Sequence, residues 1–187
     1  MAHVSEDVEE IKRMNKYSQK EQNRSNNNLG HIFERLIDQA CLYYRDSNVA
    51  RIEKTPEPFS VVEKLGKGMF RGRFLGHAQP DYKGTLSGGR AIAFEAKVTT
   101  TNRLKKSVVT DFQSASLEHH YQLGADVGVC CMINKTAAFV PWTVWRGMKE
   151  KYGRQYLTED DLQEFRVPTI GYIDFLKVSE VETNDWK

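Results

Sequence analysis

The stretch Asp81-Tyr82-Lys83-Gly84-Thr85-Leu86-Ser87-Gly88-Gly89-Arg90-Ala91-Ile92-Ala93-Phe94-Glu95-Ala96-Lys97 reads as two strands joined by a glycine turn. Ser87-Gly88-Gly89 has the composition of a tight hairpin turn, and its flanks carry the aromatic, β-branched and small residues of strands. Strand side chains alternate with period two, so Ile92, Phe94 and Ala96 share one face while Ala93, Glu95 and Lys97 share the other. Because a hairpin returns both strand ends to one edge, Asp81 and Glu95 are predicted to meet.

Working outward, the residues before this hairpin change character twice. Residues 1–28 are polar and end in Ser25-Asn26-Asn27-Asn28, so they cannot bury enough apolar surface to offset ordering entropy; they are expected to form a flexible, partly basic arm. Ile32, Phe33, Leu36, Ile37, Ala40, Cys41 and Tyr44 then recur at helical spacing, with the asparagines as expected N-caps. On a helical wheel Glu34 falls at the edge of that apolar stripe and Asp38 nearly opposite it, so only Glu34 is expected to face a cleft. Extended segments follow around 48–54 and 59–63, separated by Pro56 and Pro58. The run Lys64 to Phe74 lacks core periodicity and mixes glycine, basic and aromatic residues, which predicts a projecting loop or stalk at about 60–78. It also lacks the GxxxxGK[ST] spacing of a phosphate-cradling loop.

After the hairpin, Thr110 or Asp111 caps a predicted helix through about Leu123, and Val127 to Ile133 reads as a buried strand. Strand 137–142, a helix over 143–152, a turn opened by Thr158-x-x-Asp161 and an extended 170–178 complete the reading. This is an α/β pattern in one domain, 29–187, of a chain with 40% hydrophobic and 28% charged residues. No apolar run approaches the ~20 residues of a membrane span, and the N-terminus lacks an apolar signal core, so a cytoplasmic location is expected. Cys41, Cys130 and Cys131 form no CxxC pair and read as reduced packing residues, the last two on opposite faces of a strand.

The net charge of +2 conceals clusters. Lys12, Arg13, Lys16, Lys20 and Arg24 face only Glu21; no acid interrupts Lys64 to Arg73; and Arg103, Lys105 and Lys106 follow the hairpin, whereas acids dominate beyond Thr158. Three basic groups bracket one carboxylate pair. Magnesium takes one or two carboxylates with water and phosphate oxygens, so Asp81 and Glu95 are candidate ligands and magnesium the expected ion, with manganese as a substitute. Lys97 can orient a water and offset charge on a phosphoryl group, which together predicts phosphodiester hydrolysis. The bare spacing arises by chance about once in a chain with this many acids; the glycine turn and the strand alternation give it weight. His119 and His120 lack further partners at zinc spacing.

These residues resemble the active-site hairpin of the RecU Holliday junction resolvases, members of the PD-(D/E)XK nuclease superfamily. The resemblance covers roughly residues 28–178, with Asn28-Leu29-Gly30, the basic stalk, Leu117-Glu118-His119 and Gly171-Tyr172-Ile173-Asp174-Phe175 in family order. It implies a central mixed β-sheet flanked by helices, the restriction-endonuclease-like nuclease core, with a projecting basic stalk. It further implies magnesium on Asp81 and Glu95, transition-state stabilisation by Lys97, and Glu34 as an acidic helix residue near the site. A homodimer acting on four-way DNA junctions is the implied assembly, its stalk entering the junction. Lys64, Lys67, Arg71, Arg73, Arg103, Lys105 and Lys106 are the candidate phosphate contacts, and Phe70 and Phe74 the candidate stacking or wedge residues. Leucine replaces the family's arginine at Leu29, Gln79 and Pro80 replace threonines, and Ser116 stands where the count places a glutamine ligand. The secondary ligand is therefore open among Gln79, Gln113, Ser116 and Glu118. The same site could instead cut linear duplex, or the chain could bind junctions without cutting; the arm could contact DNA or a recombination protein.

Overall fold

A computed structural model describes residues 27–75 and 79–177. Helix α1 (27–46) buries Phe33, Ile37, Ala40, Cys41 and Tyr44 of the predicted stripe and half-buries Leu36, but Ile32, at its edge, stays 45% exposed. Asn27 and Asn28 already lie inside this helix instead of capping it, and the arm that precedes residue 27 falls outside the described residues.

The centre is a five-stranded sheet in the order β1-β4-β5-β7-β8, built from β1 (Ala50–Lys54), β4 (Tyr82–Leu86), β5 (Ala91–Thr99), β7 (Asp126–Ile133) and β8 (Thr136–Pro141). All neighbours are antiparallel except β5 and β7, which run parallel and are joined through helix α2 (Asp111–Gln122). Gly88 and Gly89 adopt positive φ in the β4–β5 turn, a conformation that side-chain-bearing residues resist. Gly84 has a different reason: a Cβ there would overlap the Arg51 carbonyl of β1, so only glycine lets the edge strand pair closely.

Strand alternation sorts the core into two clusters. Ile92, Phe94, Cys130 and Met132 pack under α1, together with Tyr82, Ile173 and Phe175. Val127, Val129, Cys131 and Ile133 pack on the other face with Leu117, Trp142, Trp145 and Met148. Cys130 and Cys131 thus face opposite sides, and all three cysteines are buried and free. Pro141 ends β8, so Trp142 begins α3 (Trp142–Arg146) and not the strand; Gly147 separates α3 from α4 (Met148–Tyr152), where one helix was expected.

Two predicted segments differ. Lys64 to Phe74 lies in an antiparallel hairpin, β2 (Phe59–Gly66) with β3 (Met69–Phe74), with register shifts between Val61 and Glu63 and between Lys64 and Gly66, turning through Gly66, Lys67 and Gly68 at positive φ. It forms a two-stranded sheet of its own, so neither strand carries the burial alternation by which strands are recognised in sequence. Residues 170–177 form no sheet edge; a single Thr169–Ile173 bridge turns the chain so that Ile173 and Phe175 plug the α1 cluster. A small sheet joins β6 (Leu104–Lys105) to β9 (Tyr156–Leu157). No helix among the described residues is long and apolar enough to cross a membrane.

Candidate active site

Tyr82 pairs with Phe94, which puts Asp81, one residue earlier, across from Glu95 on the face that α2 covers. The Asp81 carboxylate accepts from the backbone N–H of Ala96 at 3.0 Å and from Lys97 Nζ at 3.3 Å. Lys97 Nζ also donates to Glu95 Oε2 at 2.8 Å, so one ammonium holds both carboxylates. Glu95 is 0% exposed in the middle of a central strand, whereas Asp81 opens to solvent beside it.

Burial, the largest influence, pushes the Glu95 carboxyl up to about 7; Lys97 pulls it down and Asp81 pushes it up again. Burial alone would lower Lys97, but the Asp81 and Glu95 carboxylates outweigh it and the ammonium is raised. Lys97 is accordingly kept positively charged, while burial works against the ionised form of Glu95. Its second oxygen, Oε1, is buried with no hydrogen-bond partner among the described residues. Such an orphaned acceptor is unfavourable unless a cation or donor meets it. Two adjacent carboxylates, one with an unmet oxygen, form a donor set that fits a hard divalent ion, which Asp81 and Glu95 would hold. Among the described residues no group of three or more His, Cys, Asp or Glu gathers as an all-protein metal cage.

Of the four residues open as a secondary ligand, Gln113 is the one that touches a site carboxylate, and it does so as a hydrogen-bond donor. Gln113 Nε2 donates to Glu95 Oε2 at 2.5 Å, from the first turn of α2. The same amide closes a capping box, its Oε1 accepting from the Thr110 N–H at 3.0 Å while Thr110 Oγ1 accepts from the Gln113 N–H. Glu118 is committed elsewhere, accepting from Trp142 Nε1 at 2.6 Å and Arg146 Nη1 at 2.7 Å. Gln79 Oε1 accepts from Lys83 Nζ at 2.8 Å. Ser116 lies a turn beyond Gln113 on α2, and it is the Gln113 side chain that reaches Glu95 from this helix. The Thr-x-x-Gln cap was legible in the sequence; that its glutamine also reaches Glu95 depends on how α2 seats on β5.

Glu34 lies on α1 and accepts from Lys54 Nζ at 2.8 Å, with His31 Nδ1 at 3.9 Å. It makes its ion pair with β1 and not with Asp81, Glu95 or Lys97. Lys54 is raised first by its bond to Glu34, then by the charges of Glu34, Asp38 and Asp81, so it sits between the helix acids and the hairpin. Asp38 does not face away as the wheel reading expected: it accepts from Tyr82 Oη at 2.8 Å. One turn below Glu34, it lies only ~40° farther round the helix, close enough to reach the ring under α1.

The basic residues divide. Arg71 pairs with Glu63 across the β2–β3 hairpin at 3.0 Å, so the stalk is not free of acidic partners as its primary sequence suggested. Arg103 stacks over Tyr156 at 4.8 Å, and Lys106 donates to the Arg146 carbonyl. Lys64, Lys67, Arg73 and Lys105 are exposed. Phe70 and Phe74 lie on one hairpin face, each against Phe59, with centroids at 5.5 and 5.2 Å, yet remain 55% and 68% exposed. Arg71 and Arg73 occupy the opposite face.

Comparison with known proteins places this arrangement in a family. The chain is 27% identical to the Holliday junction resolvase RecU of Bacillus licheniformis over 82% of this chain and 84% of the relative. It is 28% identical to the Holliday junction resolvase RecU of Bacillus subtilis over 87% and 86%. A solved structure of Archaeoglobus fulgidus Hjc, a Holliday junction resolvase, aligns with a TM-score of 0.43 at 16% identity, covering 71% of this chain and 90% of that one. The family profile described as Recombination protein U matches residues 28–141, from the start of α1 to the end of β8 and across Asp81, Glu95, Lys97 and Gln113, and the chain therefore belongs to the RecU family.

Proposed function

We propose that this chain is a magnesium-dependent, structure-selective DNA endonuclease that resolves four-way junctions in recombination and repair, with manganese able to substitute. The observation that carries the reading is the buried Glu95 with its unpartnered Oε1, joined through Lys97 to Asp81 within a RecU-family chain. Asp81 and Glu95 would hold the ion, which when bound polarises a phosphoryl oxygen and lowers the pKa of a bound water. Lys97, kept charged by both carboxylates, would orient that water and offset charge developing on the phosphate. Gln113 would fix the Glu95 rotamer through its capped amide. Glu34 would act at one remove, through Lys54.

Lys64, Lys67, Arg71 and Arg73 would take phosphates of the junction, with Arg103, Lys105 and Lys106 supporting the flanking arm, while Phe70 and Phe74 stack at the crossover. A homodimer would present two such sites to two symmetry-related strands, in the cytoplasm where that DNA lies. The N-terminal arm, outside the described residues, would add contacts to DNA or to a recombination protein.

The test compares wild type and Asp81→Asn on synthetic four-way and linear DNA, with and without magnesium. Wild type should cut only the junction and only with the ion, and Asp81→Asn should bind the junction with unchanged affinity and leave it whole. Equal cutting of linear duplex, or an intact junction with wild type, would overturn the assignment.

A further inference from the structure

Helix α2 covers only part of the sheet face that bears Glu95. Leu117 is buried against that face, Gln113 reaches Glu95, and Glu118 and Tyr121 lock the helix flank to Trp142 and Arg146 of α3. The rest of the same face, on β4 and β1, stays open. Glu53 pairs with Lys83 and Arg51 with Thr85, so all four side chains share the Asp81 side of the sheet; Arg51, Glu53 and Thr85 are exposed and Lys83 is half-buried. α2 and α3 cover the other half of this face, so the β4–β1 shelf is the open approach to Asp81 among the described residues. The first turn of α2 is then the wall beside the reacting phosphate.

Phe112 stands on that wall. It is 79% exposed, the most exposed large hydrophobic side chain among the described residues. It directly precedes Gln113 and lies ~100° round the helix from it, on the flank away from α3. The capping box that fixes Gln113 also fixes the backbone from which Phe112 projects. An aromatic ring left 79% exposed by the described residues, on the capped first turn and one residue from a contact to Glu95, is placed to receive a ligand with a π-face. Every nucleobase offers one, and the gain depends on which base is presented.

We infer that Phe112 stacks on a nucleobase flanking the scissile phosphate and so sets where along a junction arm the chain cuts; this rests on the endonuclease reading above. Phe112 touches substrate without taking part in the chemistry. Its effect should fall on the choice between positions more than on the rate at the best one.

The stacking is read directly by 2-aminopurine placed at successive positions around the crossover of a junction bound to Asp81→Asn protein, with and without Phe112→Ala. One position should be quenched by the Asp81→Asn protein and regain its fluorescence when Phe112 is also replaced. In parallel, cut sites on a mobile junction are mapped for wild type, Phe112→Ala and Phe112→Trp. The alanine variant should flatten the ratio between strong and weak sites by about threefold, the modest preference that differences in stacking strength supply, and tryptophan should preserve it. Fluorescence unchanged at every position and an unaltered cutting pattern would overturn the inference. If wild type binds junctions but cuts none, the nuclease reading fails, and the fluorescence still decides the stacking role.

Discussion

Gln113 does two things with one amide: it caps α2 and it holds Glu95. Its oxygen accepts from the Thr110 N–H and its nitrogen donates to Glu95 Oε2, so the ends of the side chain are committed to a helix terminus and a buried carboxylate. These roles separate in a pair of variants. Thr110→Ala removes the hydroxyl that accepts from the Gln113 N–H and should cost about 1 kcal/mol, while the Thr110 N–H and the Glu95 contact survive. Gln113→Ala should lose similar stability and also release Glu95. Thermal melts should therefore fall alike, whereas junction cleavage at saturating DNA should drop at least tenfold in Gln113→Ala alone. Equal cleavage by the two variants would show that the glutamine is only a cap. Thr110 was readable as a cap candidate because Ser and Thr satisfy orphan N–H groups ahead of an apolar run. The second role of Gln113 stayed open in the sequence as one of four candidates, since nothing local says which strand a helix will cover.

At the scale of elements, the β2–β3 hairpin separates its chemistry by face. Phe59, Phe70 and Phe74 share one side, and Arg71 and Arg73 the other, so a single ribbon can offer rings and guanidinium groups in opposite directions. Gly72 sits between the two phenylalanines of β3, and a methyl group there would overlap both the Phe59 ring and the Ser60 carbonyl oxygen. Moving a ring alone would not relieve this, because the carbonyl belongs to the paired strand. Gly72→Ala should therefore unpair the hairpin and weaken junction binding at least tenfold. The five-stranded sheet is a separate unit of hydrogen bonding, so its melting temperature should stay within about 2 °C. A coupled fall in melting temperature would show that the hairpin supports the core.

The same hairpin marks where sequence reading stopped. The β4–β5 pair was legible because β5 alternates apolar and functional residues around a glycine turn. β2 and β3 have no buried face and so no period to detect. Asp38 and the 170–177 segment were misplaced for a related reason. Tyr82 draws Asp38 toward the sheet and the α1 cluster draws in Ile173 and Phe175, both through contacts between residues far apart in sequence.

For the molecule as a whole, the two sides of the sheet carry different duties. The α1 side is sealed by Tyr82, Phe94, Phe139 and Phe175 in mutual ring contact, with Tyr44 bound to Asp174 at 2.6 Å to pin the C-terminal turn. The α2 side keeps Asp81 partly open to solvent beside buried Glu95, so one chain offers one candidate centre. A four-way junction needs two cuts, on strands related by a two-fold axis, and a closed pair of identical chains supplies two centres with that symmetry. Mixed dimers make this measurable. Differently tagged wild-type and Asp81→Asn chains, co-expressed and purified through both tags, should bind a junction as tightly as wild type and nick one strand, leaving its symmetry mate intact. Wild-type dimers should yield paired cuts under the same conditions. Paired cutting by the mixed species would mean that one centre serves both strands in turn, and sedimentation of the active protein near 21.5 kDa would remove the dimer altogether.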